Sequence, residues 1–187
     1  MKKSIVSFLA IGLVVFCFAG ISQAAIIDFE SVAGGNYTSL TFGDAVLTSI
    51  SGDFEISGKA PWGGNSVLDY DNYGSKVAFS SAVYDVTVFV GDYDADDDPI
   101  YLNAYDSLDN LIASSTITLP YTLTGGENIS LSSLSAISYV TFFSGSPYPG
   151  SVYWDNIQYT STSVPEPATM LLLGLGLVGL ATLRKKF

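Results

Sequence analysis

The central part of this 187-residue sequence predicts an all-β fold, an antiparallel β-sandwich of jelly-roll type. Three observations predict it. Apolar residues recur at every second position in short stretches, the period of a half-buried strand. Clusters of Gly, Asn, Asp and Ser interrupt those stretches at spacings of roughly ten residues, as in sandwiches. No central segment sustains the 3.6-residue apolar period of an amphipathic helix.

The elements follow in order. Weak strands are expected at 26–29, 45–49, 54–57 and 76–79. Stronger alternation at 84–90 sets Val86, Val88 and Val90 on one face. At 100–105, Ile100, Leu102 and Ala104 share one face, and Tyr101, Asn103 and Tyr105 the other. Residues 111–118 and 137–143 alternate too, and 152–159 is aromatic-rich. Turn chemistry separates them at Gly34-Gly35-Asn36, Ser51-Gly52-Asp53, Gly63-Gly64-Asn65, Leu108-Asp109-Asn110 and Thr124-Gly125-Gly126. Residues 131–135 read as a single helical turn.

Both ends lie outside this domain. Lys2 and Lys3 precede an apolar run at 5–21, and Ser22-Gln23-Ala24 offers small residues for cleavage before Ala25. Residues 1–24 therefore read as a secretory signal peptide. The sole cysteine, Cys17, lies inside it, so the exported chain has no disulfide. At the other end, 161–167 is a linker containing Pro165-Glu166-Pro167, and 168–187 holds an apolar helix and a basic tail. Sixteen residues, 168–183, span about 24 Å as a helix. That is slightly short of a hydrocarbon core of ~30 Å, a gap that snorkelling of Arg184, Lys185 and Lys186 makes up. The basic cluster places the C-terminus in the cytoplasm and the body outside. A plain C-terminal anchor would look much the same, except for the Pro-Glu-Pro ahead of it.

That order of tripeptide, Gly-spaced apolar helix and basic stop resembles the PEP-CTERM sorting signal of exopolysaccharide-producing Gram-negative bacteria. Pro165, Glu166 and Pro167 match its namesake motif, and Arg184, Lys185 and Lys186 match its membrane stop. The resemblance implies an inner-membrane intermediate and an exosortase, a membrane cysteine transpeptidase, that cuts near the tripeptide. The body then reaches the cell surface or extracellular matrix. A tail of this kind is also described as the C-terminal domain of ice-binding proteins, but nothing in the body points to that activity.

The body, 25–160, is long enough for one domain with a real core. Its only bases are Lys59 and Lys76, against seventeen acids, giving a net charge of −15. That excludes nucleic acid as a partner, because such binding neutralises phosphates with Lys and Arg. It favours cations. With no histidine in the chain and no cysteine in the body, Ser-His-Asp and Cys-His catalysis and the usual zinc sites are excluded. Carboxylate-pair chemistry stays open, so the alternative to a binding role is a glycan-active hydrolase. The body has only Glu30, Glu55 and Glu127, with no recognisable pair, and the expectation is that it is not an enzyme.

Two groups of acids are candidate calcium ligands. Asp92, Asp94 and Asp96 stand at alternate positions, as in many calcium loops, within a run that continues through Asp97 and Asp98. The glycine and glutamate of an EF-hand are missing, and a solvated hairpin tip is the bland reading. Asp28 and Glu30 sit at the end of the first strand and Asp155 lies in the last. If these strands pair, as in jelly rolls, the three meet. The arrangement is similar to calcium-containing carbohydrate-binding jelly rolls. Among aromatics, Trp62, Tyr70 and Tyr73 fall in loop-like sequence and are candidate sugar-stacking residues, with a loop ring folded onto the sandwich as the alternative. Trp154 reads as core. Together these point to an exported surface or matrix protein with a structural or adhesive role and polysaccharide as candidate ligand.

Overall fold

The computed structural model describes residues 21–69, 72–92, 96–120 and 125–163, together with Gly174 and Gly176. The signal peptide and membrane helix expected from sequence lie largely or wholly outside these residues. Among the described residues, no helix is long and apolar enough to cross a membrane. The chain divides into two compact units, one of Gln23–Ser161 and one of Met1–Ser22 with Thr162–Phe187. Gly174 and Gly176, in the second unit, are helical. All that follows concerns the first.

The fold is an antiparallel β-sandwich. Its strands are β1 (Ile21–Ile27), β2 (Gly35–Tyr37), β3 (Ser39–Phe42), β4 (Ala45–Ser49), β5 (Phe54–Ser57), β6 (Ser66–Leu68), β7 (Ser75–Asp92), β8 (Asp98–Tyr105), β9 (Leu111–Leu119), β10 (Gly126–Ser144) and β11 (Val152–Ser163). A 3-10 turn, Pro149–Ser151, precedes the last. The hydrogen-bonded order is β2-β5-β6-β11-β7-β10-β8-β9, with β1 on β11 and the β3–β4 hairpin joined to β7 through β4. The first and last strands are therefore neighbours.

Two long strands let one continuous ladder enclose one core. β7 has 18 residues and β10 has 19, and they pair from Gly126↔Gly91 to Phe142↔Ser75. The register shifts between Ser132 and Ile137 and again before Tyr139. Such irregularities bend a strand and change which face each residue occupies. The burial shows it: Ile129 and Leu131 are inside before the shifts, Ile137 between them, and Val140 and Phe142 after them. On β7 the inward set changes likewise, from Ser75 and Val77 to Val86, Val88 and Val90. The expected strands at 76–79 and 84–90 are thus one strand. The helical turn expected at 131–135 is instead part of β10. Its Leu134 is fully exposed at the irregularity, so its apolar character reflects no helical packing face.

Core alternation is cleanest on β8, where Ile100, Leu102 and Ala104 are buried and Tyr101, Asn103 and Tyr105 are half-exposed. Trp154 is buried against Phe142, with ring centroids 4.7 Å apart. Elsewhere the chain is tied by turns. Asp106 accepts the backbone N–H groups of Leu108 (2.8 Å) and Asn110 (2.9 Å), and Asp109 takes a positive φ of 61° in this tight β8–β9 connection. At the β3–β4 turn, Asp44 accepts hydroxyls from Ser81 on β7 and Tyr159 on β11, each at 2.5 Å. Its carbonyl also accepts the Ser80 N–H at 2.8 Å. This residue joins three strands that sequence alone does not connect.

Candidate functional site

Three places gather chemistry-bearing side chains. The first lies where the chain leaves β1 and where β11 passes. Asp155 is buried there, while Asp28 and Glu30 are exposed. Asp155 accepts the Asn156 N–H at 2.7 Å and the Trp62 indole N–H at 3.4 Å. Asn156 takes a positive φ of 46° inside a strand, an uncommon backbone state that turns its amide back onto the preceding carboxylate. Burial pushes the Asp155 carboxyl above its ordinary range. The two hydrogen bonds oppose that, and the charges of Glu30 and Asp28 add to it. Asn65 braces the loop, donating its side-chain amide to the carbonyls of Val32 (2.9 Å) and Phe29 (3.4 Å) and its N–H to Glu30 Oε1 (3.3 Å). Gly64, at φ 80°, passes so close to the Glu30 carboxylate that a Cβ there would collide with it.

Trp62 is half-buried at this place. Its ring meets Phe89 edge-on at 5.0 Å and Tyr153 at 6.3 Å, and lies over Gly91. Much of the indole is thus held by the fold rather than presented by a loop. Tyr73 is 66 % exposed. Tyr70 lies outside the described residues, as does Asp94.

The second place is the β7–β8 connection. Asp92 and Asp98 are buried and Asp96 is half-buried. One carboxylate oxygen from each lies within 4.8 Å of the other two. Among the described residues this is the group that converges so tightly; Asp28, Glu30 and Asp155 do not. Asp98 is fully buried, and neither of its oxygens has a hydrogen-bond partner. Its carboxyl is pushed up to about 7, first by burial and then by the negative charges of Asp92 and Asp96, with the nearby Ser146 hydroxyl opposing. The acidic run was legible, but the inward side chain at Asp98 was not: it depends on the strand phase beginning one residue before Pro99.

The third place is a sheet face. Register sets Tyr139 beside Tyr105, Thr141 beside Asn103 and Phe143 beside Tyr101. All six side chains are half-exposed. Tyr101 and Phe143 stack at 4.8 Å and 17°, and Tyr105 and Tyr139 at 4.7 Å and 11°. Lys76 Nζ lies 4.9 Å from the Tyr139 ring centre, and the Tyr139 hydroxyl donates to Asp109 at 3.1 Å. Between the two stacks, Asn103 accepts the Ser114 hydroxyl at 2.7 Å. The signal for this face was present as aromatic–polar–aromatic alternation at 101, 103, 105 and at 139, 141, 143. What sequence did not supply was the register that lays these two triplets side by side.

Residues 163–186 match the family model of the PEP-CTERM protein-sorting motif. This chain carries a PEP-CTERM sorting signal. The motif marks an exported protein. Among curated proteins, none matches the sequence. Solved structures with a similar fold include a DUF4465 family protein from Bacteroides caccae, at TM-score 0.48 and 12% identity over 75% of this chain and 100% of that one. The CBM22-1 xylan-binding domain of Paenibacillus barcinonensis Xyn10C matches at 0.45 and 9%, over 78% and 99%. An arabinose-bound α-L-arabinofuranosidase matches at 0.44 and 10% over 71% of this chain, which spans only 25% of that enzyme.

Proposed function

We propose that the β-sandwich is the working part of an exported surface or matrix protein and that it binds polysaccharide through its aromatic sheet face. An exosortase cuts the chain near Pro165-Glu166-Pro167, after a stage held in the inner membrane by 168–183 and stopped by Arg184, Lys185 and Lys186. The observation that carries the binding reading is the pair of ring stacks, Tyr101 with Phe143 and Tyr105 with Tyr139, bordering Asn103 and Thr141 on an exposed face. Apolar ring surface next to hydroxyl and amide groups suits a sugar chain, whose rings have apolar faces and hydroxyl edges. Trp62 keeps a supporting place, with Asp155 and Glu30 bracing the end of the sandwich beside it.

The test is retention of the full chain, purified in detergent, on a panel of insoluble polysaccharides, with release of reducing ends measured in the same tubes. Retention without reducing ends is expected. The double variant Tyr101→Ala/Tyr105→Ala should weaken it about tenfold or more, since two aromatic contacts at roughly 1 kcal/mol each exceed the 1.4 kcal/mol of a decade. Equal retention of wild type and double variant would remove this face from the proposal, and released reducing ends would favour the hydrolase. For sorting, mass spectrometry of surface-extracted protein should find a C-terminus near 164–168. Protein ending at Phe187 would reduce the tail to an anchor.

A further inference from the structure

We infer that Asp92, Asp96 and Asp98, at the end of β7 and the start of β8, bind a calcium ion. This inference does not depend on the polysaccharide reading. Three lines carry it. The first is spacing: an oxygen from each residue lies within 4.8 Å of the others. Calcium binds oxygens at about 2.4 Å, so two ligands on opposite sides of one ion lie ~4.8 Å apart, and all three fit a single coordination sphere. The second is Asp98. Its carboxylate is fully buried, sits inside this group, and has no hydrogen-bond partner at either oxygen. Buried carboxylates are ordinarily paired with donors or with a metal, because an unpaired one is costly. The third is the company it keeps. The charges acting on Asp98 are those of Asp92 and Asp96, both negative. Of the body's two lysines, Lys76 is stationed over Tyr139. A cation from solution would supply the partner that the Asp98 oxygens lack.

The ligand set differs from the alternate-position series Asp92, Asp94, Asp96 that the sequence suggests. Asp98 belongs to it because the first residue of β8 points inward, as Ile100 and Leu102 do. All-oxygen, all-carboxylate ligation selects a hard cation, and chain segments of this kind suit calcium better than magnesium, which demands near-octahedral geometry and keeps its waters.

The experiment is thermal melting of the full chain in detergent, followed by tryptophan fluorescence, with calcium chloride or a chelator. Both tryptophans, Trp62 and Trp154, lie in the sandwich. A hundredfold excess of calcium over its Kd should raise the wild-type midpoint by about 5 °C or more. Asp98→Asn and Asp92→Asn should lose that rise, while Asp28→Asn should retain it. Calorimetric titration of calcium into the unheated wild type and Asp92→Asn supplies a second reading if either variant folds poorly: heat of binding in the first, none at this site in the second. Identical wild-type midpoints in calcium and chelator would overturn the inference. So would a calcium rise that survives intact in both Asp92→Asn and Asp98→Asn.

Discussion

Asp44 and Asp98 are the same residue in opposite company. Asp44 sits half-buried at the β3–β4 turn and receives two hydroxyls at 2.5 Å, from Ser81 and Tyr159. Burial pushes its carboxyl up, but these hydrogen bonds more than offset that and leave it below the ordinary range. Burial, together with the same contact, pushes the Tyr159 phenol far up. Asp98 is fully buried among acids, and neither oxygen makes a hydrogen bond; burial and those charges outweigh the nearby Ser146 hydroxyl, and its carboxyl rises to about 7. The difference teaches that the acidity of this body is not one property. One carboxylate is a clamp between strands, complete within the protein. The other is buried among like charges, with no hydrogen-bond partner at either oxygen.

The comparison breaks most visibly at Asp44. Asp44→Ala should destabilise the sandwich by about 3 kcal/mol in chemical denaturation, because it leaves the buried Tyr159 and half-buried Ser81 donors without their acceptor. Its acid dependence follows from the lowered folded value. Stability from Asp44 is present above its unfolded pKa of 3.8 and is lost as pH falls through the lower folded one. The gap in melting temperature between wild type and Asp44→Ala should therefore hold from pH 7 to 5 and narrow below about pH 4; a constant gap down to pH 2 would deny the clamp its charge. Asp98→Asn should act in the other direction. In chelator it should melt above the wild type, by about 1–2 kcal/mol of stability, since it removes an unpaired buried charge. A destabilised Asp98→Asn would mean that the carboxylate has protein donors after all.

Two phenols sharpen the contrast further. Tyr159→Phe deletes one hydroxyl to Asp44 in a buried setting and should cost about 1 kcal/mol. Tyr139→Phe deletes the matching bond to Asp109 on the exposed face and should cost less than about 0.5 kcal/mol by the same denaturant measurement. Equal costs would show that burial is not what separates them.

Much of the fold was legible because alternation and turns are local. Val86, Val88 and Val90, or Ile100, Leu102 and Ala104, declare an inward face with no knowledge of the partner strand. Strands β2, β3 and β6 escaped because runs of only three or four residues are indistinguishable from a loop until a neighbour pairs with them. The continuity of β7 escaped because Ser80 and Ser81, at its bend, look like a turn. The sites were less legible for the same reason at longer range. Asp28, Glu30 and Asp155 can be grouped from their places in the first and last strands, and the charges of the first two act on Asp155. Asp44 offered no signal, since its partners lie 37 and 115 residues away.

The position of β11 has a mechanical consequence. This strand runs to Ser163, where the sorting motif begins, and it is paired with β6, β7 and β1. A pull arriving from the C-terminal side therefore enters the sandwich on an interior strand. It must slide that strand past partners on both sides, breaking ladder hydrogen bonds together, instead of peeling an edge strand one pair at a time. For a domain tethered by that end, resistance to tension is set by this interior placement and by the barrier to forced unfolding, not by the equilibrium stability of the sheet.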